Sequence, residues 1–202
     1  MLCALASDLV LLLSGRRAGW VGASAALASL AFFRDPERVL DPEPNTVYAT
    51  ADGVIVGVEE ASDPWLPAQA LRISTFLSLH DVHVIRSPVA GNITLAEEVK
   101  GGFAPAFLGR ARSNLRKRLA IEGPAGRVVV VQIAGTLARR ITSWTGLGSR
   151  VATGQRVGLI HFGSRTEVLL PADRFAARVR VGERVKAGVT PIAGSLSGER
   201  AG

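Results

Sequence analysis

The chain has 202 residues, 48% of them hydrophobic and 20% charged, which is enough for one domain with a real core. One cysteine and three histidines exclude an internal disulfide and a cysteine–histidine metal cluster, so no metal site is expected. The net charge of +7, with much of its excess in Arg110, Arg112, Arg116, Lys117 and Arg118, leaves nucleic acid or an anionic lipid surface as partners for that patch, beside the plain reading of a solvated loop.

Residues 2–14 are apolar apart from Ser7, Asp8 and the closing Ser14, and residues 18–33 carry no charge. Arg16 and Arg17 separate the two stretches. A spanning helix needs about 20 apolar residues, so each stretch is short. The pair fits a membrane hairpin, a single lengthened span, or a signal peptide. Positive charge should precede the apolar core of a signal peptide, and only the amino terminus precedes Leu2, which ranks an anchor above it. Neither stretch shows a polar face of helical width, as two soluble core helices would. Arg34, Glu37 and Arg38 end the run, and flanking cations favour the cytoplasmic side for the downstream domain. The expectation is an apolar helical membrane segment over 1–38 and one soluble domain over 39–202, held at the cell membrane on its cytoplasmic side and facing acidic headgroups.

From Pro42 onward the pattern is mainly β. Val47–Thr50 is a short strand ending at the turn pair Asp52-Gly53. Val54–Val58 is the next strand. Leu71–Phe76 alternates apolar and polar residues, as a half-buried strand does. Val82–Arg86 ends at Ser87-Pro88, and Asn92–Leu95 comes after a glycine. Arg127–Ala134 is the strongest strand, a buried apolar run. Residues 101–118 lack a steady period and read as a mobile loop. Only 136–146 hints at a helix. Two phrases, 148–157 and 181–188, each place Val, two residues, then Gly near a turn. That rhythm suits a barrel-sandwich-like β domain, although such turns occur in any β sandwich.

No Walker loop, HExxH, GxSxG or CxxC occurs. In a regular extended segment His80 and His83 would point to opposite faces. Asp52 reads first as turn chemistry, and second as a carboxylate able to orient an imidazole. Gly-Ser occurs at Gly148-Ser149, Gly163-Ser164 and Gly194-Ser195, and composition singles out none of them.

Five phrases in order carry a resemblance over residues 29–195. They are Phe33-Arg34-Asp35-Pro36-Glu37-Arg38; Ala51-Asp52-Gly53; Phe76–Val84 with Arg86 and Pro88; Gln132-Ile133-Ala134-Gly135 with Ala138–Ile141; and Phe162-Gly163-Ser164-Arg165 with Glu167-Val168 and Leu170-Pro171. Together they resemble the short-form, pyruvoyl-dependent phosphatidylserine decarboxylase family. The resemblance implies a zymogen that cuts itself between Gly163 and Ser164. The products are a 1–163 chain and a 164–202 chain, which stay together as a heterodimer. Ser164 becomes a covalent pyruvoyl cofactor, which forms a Schiff base with the serine amine of phosphatidylserine. Carbon dioxide leaves, and hydrolysis releases phosphatidylethanolamine. His83 is the candidate proton donor, and Asp52 with His83 the candidate processing pair.

The resemblance also marks departures. Longer relatives have a second histidine where Arg86 stands, and the family's Asn-Glu-Arg-Asn phrase reads Asn114-Leu115-Arg116-Lys117 here. His161 is a reserve candidate, and His80 receives no catalytic role. Nucleic acid is not an expected partner, and a higher oligomer is left open. Three rival readings are a pyruvoyl decarboxylase of a soluble amino acid, a membrane-tethered barrel-sandwich carrier module without catalysis, and a basic membrane- or nucleic-acid-binding domain, which would show steep salt dependence and no turnover. The apolar N-terminus argues against the first, and the carrier would want an exposed lysine in a hairpin, near which Lys186 sits.

Overall fold

The structure is a computed structural model that describes residues 20, 21, 23, 32–67, 69–105, 109–124, 126–136, 140–161 and 164–196. The chain divides into two compact units, 1–34 and 35–202. In the first, Phe32 and Phe33 meet edge to face with ring centroids 5.0 Å apart. Most of the predicted membrane segment lies outside the described residues, and among those described no helix is long and apolar enough to cross a membrane.

The second unit is mainly β. Its strands are β1 (Thr46–Tyr48), β2 (Gly53–Ala61), β3 (Ala70–Leu77), β4 (Val84–Arg86), β5 (Gly91–Val99), β6 (Arg116–Gly123), β7 (Gly126–Ile133), β8 (Ile141–Ser143), β9 (Arg150–Val151), β10 (Arg156–Ile160), β11 (Ser164–Pro171), β12 (Phe175–Ala177), β13 (Arg184–Val185) and β14 (Pro191–Ser195). Eight of them form a curled sheet in the order β13-β2-β3-β11-β7-β6-β5-β9. Two three-stranded sheets, β1-β14-β12 and β4-β10-β8, complete the unit.

Alternation sorts the large sheet into two faces. Ile55, Ile73, Leu77, Leu119, Ile121, Val128, Val130, Val168 and Leu170 point into one core with residues of the smaller sheets. Ala70, Ala120, Val129, Val131, Ile133 and Leu169 point the other way, where Leu66 and Trp65 cover them. Burying each large aliphatic side chain is worth about 1.5–3 kcal/mol, so the inner face fixes the register. A slip of one residue would send that whole set outward.

The expected strands are present with shifted ends, and the Asp52-Gly53 turn has a steric reason. Gly53 has φ of 153°, and a Cβ there would stand 2.0 Å from the Phe76 carbonyl oxygen. The two similar phrases also meet. Gly154 and Gly188 both have positive φ, and a Cβ on Gly188 would lie 3.1 Å from the Gly154 Cα.

Three sequence expectations need correction or completion. Residues 116–118, read as part of a loop, begin β6, and residues 109–113 form a short 3-10 helix. The basic residues there hid a strand whose apolar residues, Leu119 and Ile121, come only later. Residues 141–143, in the stretch with a helical hint, form β8. Their backbone pairs with β10, and that long-range pairing overrides local propensity. Finally β11, at the centre of the sheet, is buried at all eight positions. Arg165 and Glu167 broke its apolar pattern. They form a 3.0 Å ion pair on the outer face, and Arg165 donates to Ser74 Oγ at 2.8 Å.

Candidate active site

Ser164 opens β11. Its Cα partner on β3 is Leu77, and alternation turns its side chain to the inner face, where Leu77 is fully buried. Ser164 itself is 0% exposed, and its Oγ has no hydrogen-bond partner among the described residues. Two residues on, Thr166 lies between Thr75 and Gln132 and receives a hydrogen bond from Thr50 Oγ1 at 3.2 Å. One end of the apolar core is therefore lined with uncharged polar side chains. Gly163 and Phe162 lie outside the described residues, so the predicted scissile bond is described from the Ser164 side alone.

His83 comes from the turn between β3 and β4 and is also 0% exposed. Its Nδ1 lies 2.8 Å from the Asp81 carbonyl oxygen, which can only accept a hydrogen bond. Nδ1 therefore carries a proton. The His83 carbonyl accepts from Ile160 N at 3.2 Å, which ties the histidine to the end of β10 four residues before Ser164.

The turn is braced by Asp81. Its carboxylate accepts from Ser78 N at 2.9 Å and from the Ser78 hydroxyl, and it pairs with Arg184. Burial pushes the Asp81 carboxyl up, but the Ser78 bonds and Arg184 outweigh burial and hold it below the usual carboxylate range. His80 stands on the outside of the same turn, with its side chain 75% exposed. The two histidines face apart because the chain turns there; β4 begins only at Val84.

Asp52 is engaged elsewhere. Arg38 donates to both of its oxygens, at 2.6 and 2.7 Å, and Ala187 N donates to Oδ1 at 2.8 Å. Arg38 also donates to the Ala187 carbonyl at 2.6 Å. The imidazole of His83 is thus oriented by the Asp81 main chain, while Asp52 ties residue 38 to residue 187. Arg86, at the position of the second histidine of longer relatives, plays a similar part. It donates to the Gly154 carbonyl at 3.0 Å, the Pro36 carbonyl at 3.1 Å and Asp35 at 3.2 Å. His161 Nε2 lies 3.3 Å from Thr142 Oγ1, and burial, helped by Arg140, lowers its pKa below 6.5.

The basic side chains around residue 112 are largely paired within the fold. Arg112 meets Glu59 and Glu167, Lys117 meets Glu98 at 3.2 Å, and Arg118 meets Asp63 at 2.6 Å while stacking 4.0 Å over Trp65. Gln132, in the sequence only part of a phrase, is 0% exposed with neither amide atom hydrogen-bonded among the described residues. A lone polar residue inside the apolar run Val128–Ala134 was the signal for it.

Ser164 is thus a buried serine at the head of a central strand, and His83 a buried histidine tied to the segment before it. The family profile described as phosphatidylserine decarboxylase matches residues 26–193. The chain belongs to the phosphatidylserine decarboxylase family. A phosphatidylserine decarboxylase proenzyme of Symbiobacterium thermophilum is 46% identical over 178 residues, which are 86% of this chain and 82% of that one. Proenzymes of the same name from Burkholderia multivorans and Burkholderia ambifaria are 44% identical over 164 residues, 80% of this chain and 76% of theirs. The family match spans the Asp52 clamp, the His83 turn and β11, so each of these site residues lies within it.

Proposed function

We propose that this chain cuts itself between Gly163 and Ser164 and then converts phosphatidylserine to phosphatidylethanolamine and carbon dioxide. The observation that carries the reading is the Ser164 hydroxyl, wholly buried and without a hydrogen-bond partner among the described residues. Leaving a buried hydroxyl unpaired costs about 1–3 kcal/mol. A structural serine would spend it on a nearby carbonyl, whereas a nucleophile needs its lone pairs uncommitted.

In processing, Ser164 Oγ attacks the Gly163 carbonyl carbon, and the peptide bond gives way to an ester. Loss of the Ser164 α-proton then expels the Gly163 carboxylate, and water releases ammonia to leave a ketone at position 164. His83 Nε2, with its lone pair fixed by the Nδ1–Asp81 bond, is the base that takes the serine proton. Asp52 acts from a distance, through the clamp that joins both products of the cut.

A pyruvoyl group fits at position 164, because it is built from the atoms of Ser164 and its surroundings are aliphatic or uncharged. Such a group supplies a ketone conjugated to an amide carbonyl, a sink for the electrons that carbon dioxide leaves behind. The residue then protonating the former α-carbon is His83. The 164–202 piece contributes β11, hydrogen-bonded to β3 on one edge and β7 on the other, and also β12, β13 and β14. Separating the pieces would break the centre of the large sheet, so they remain a heterodimer.

The meeting of Gly154 and Gly188 supports a barrel-sandwich-like arrangement of the two similar phrases. The apolar stretches 2–14 and 18–33 anchor the domain to the cell membrane from the cytoplasmic side, where its substrate lies. With Arg112, Lys117 and Arg118 already paired, the apolar segment carries more of that attachment than the basic residues.

Intact mass after expression tests the reading. The expected result is two chains in place of one of 21.2 kDa, the smaller holding 39 residues and weighing about 4 kDa. Ser164→Ala should stay whole and release no carbon dioxide from phosphatidylserine vesicles. A wild-type preparation that is uncut, with an ordinary serine at 164, would overturn the proposal.

A further inference from the structure

We propose that Gln132 grips the carboxylate of the serine headgroup and so selects the substrate. The inference rests on the reading of Ser164 as the precursor of the reactive ketone. Along β7, Val128 and Val130 point into the inner core, and alternation places Gln132 on the same face. Gln132 is Cα partner to Thr166, and Ser164 lies two residues further along the same face of β11. Such diagonal neighbours across an antiparallel pair are roughly 7–8 Å apart, within reach of a long side chain.

The amide is fully buried, and neither Nε2 nor Oε1 has a hydrogen-bond partner among the described residues. A buried amide with both ends unspent is costly unless a ligand uses it. Gly158 of β10 lies close to the amide: a Cβ there would stand 3.5 Å from Gln132 Oε1 and 2.5 Å from the Thr142 carbonyl oxygen, so only glycine fits beside it. The Thr166 hydroxyl, by contrast, is already bonded to Thr50.

Among the described residues, the charged side chains near β11 lie elsewhere. Arg165 and Glu167 alternate to the outer face, with Arg72 and Arg112. Arg86 is spent on Asp35, Pro36 and Gly154. A headgroup joined to residue 164 therefore meets an amide where a guanidinium would be the usual carboxylate ligand. That choice suits the chemistry. Decarboxylation drains charge from the carboxylate, so a cation there would favour the starting state over the transition state. An amide N–H orients the group while stabilising its charge less.

The test uses the cleaved holoenzyme in mixed vesicles holding equal amounts of phosphatidylserine and phosphatidylethanolamine with acyl chains of different mass. Cyanoborohydride captures either lipid amine on the ketone as a stable secondary amine. Mass spectrometry of the small chain then reads the ratio, because the acyl mass marks the source even after carbon dioxide is lost. Wild type should favour phosphatidylserine. Gln132→Met, similar in shape but unable to donate, should lower that preference about ten- to a hundredfold, the worth of one hydrogen bond to a charged group. Gln132→Glu, which sets like charges together, should lower it further. A role confined to packing would reduce capture of both lipids and leave their ratio intact, which overturns the assignment. Variants that fail to self-cleave would place Gln132 in processing and overturn it equally. Wild type that captures neither lipid would instead bring down the reading of Ser164 itself.

Discussion

Replacing Asp52 with alanine should destabilise the β unit by about 2–4 kcal/mol. Arg38 and Asp52 have side chains only 9% and 15% exposed, and they share two short hydrogen bonds. Breaking a buried pair from one side costs about 3–5 kcal/mol, because the remaining charge is uncompensated. Residual exposure and the Arg38 bond to the Ala187 carbonyl reduce that range at this site. For a domain of this size, each kcal/mol moves the melting temperature by about 2–4 °C, so the expected fall is about 5–15 °C. The measurement is thermal unfolding in a Ser164→Ala background, where cleavage cannot blur the comparison. Arg38→Met combined with Asp52→Leu should recover much of the loss, since two apolar partners leave no orphaned charge. An Asp52→Ala variant that melts within about 1 °C of its parent would refute the clamp. Self-cleavage adds a second arm. A clamp predicts that Arg38→Met slows cutting about as much as Asp52→Ala. Normal cutting in the arginine variant, with none in the aspartate variant, would move Asp52 into the chemistry.

His83→Gln keeps a donor for the Asp81 carbonyl but has no titratable nitrogen. It should reduce self-cleavage by about 10²–10⁴-fold, the usual worth of a positioned acid–base group, with a melting temperature close to that of Ser164→Ala; cleavage time courses read by intact mass check it. Asp81 gives a pH prediction. Its carboxyl is held below the ordinary value, because the Ser78 bonds and Arg184 outweigh the upward push of burial. Its contribution to stability is therefore complete above the unfolded-state value of about 4 and is lost as pH falls through the lower folded-state value. Asp81→Asn should melt earlier than wild type at neutral pH, and the two curves should converge below about pH 4.

The mainly β class of the domain, the sites of its turns and a candidate position for its chemistry were legible in the residues alone. Val128–Val131 is apolar enough to declare a buried strand wherever it pairs, and Gly53 is required by a turn that any partner strand would crowd. The phrase around Ser164 separated that serine from two similar Gly-Ser pairs, because a chemical motif is written in consecutive residues. What each residue touches was not written there. The residues alone mark no strand at 164–171; Arg165 and Glu167 sit in the central β11 because they pair with one another on the outer face. Asp52 looked like a partner for an imidazole, yet residues 14 and 135 positions away hold its carboxylate. Gln132 was one letter in a phrase until pairing set it beside Thr166 with an amide unspent among the described residues. Strand order and register decide such meetings. They arise from burying one face of the whole sheet at once, a property of the packed chain that no local stretch contains.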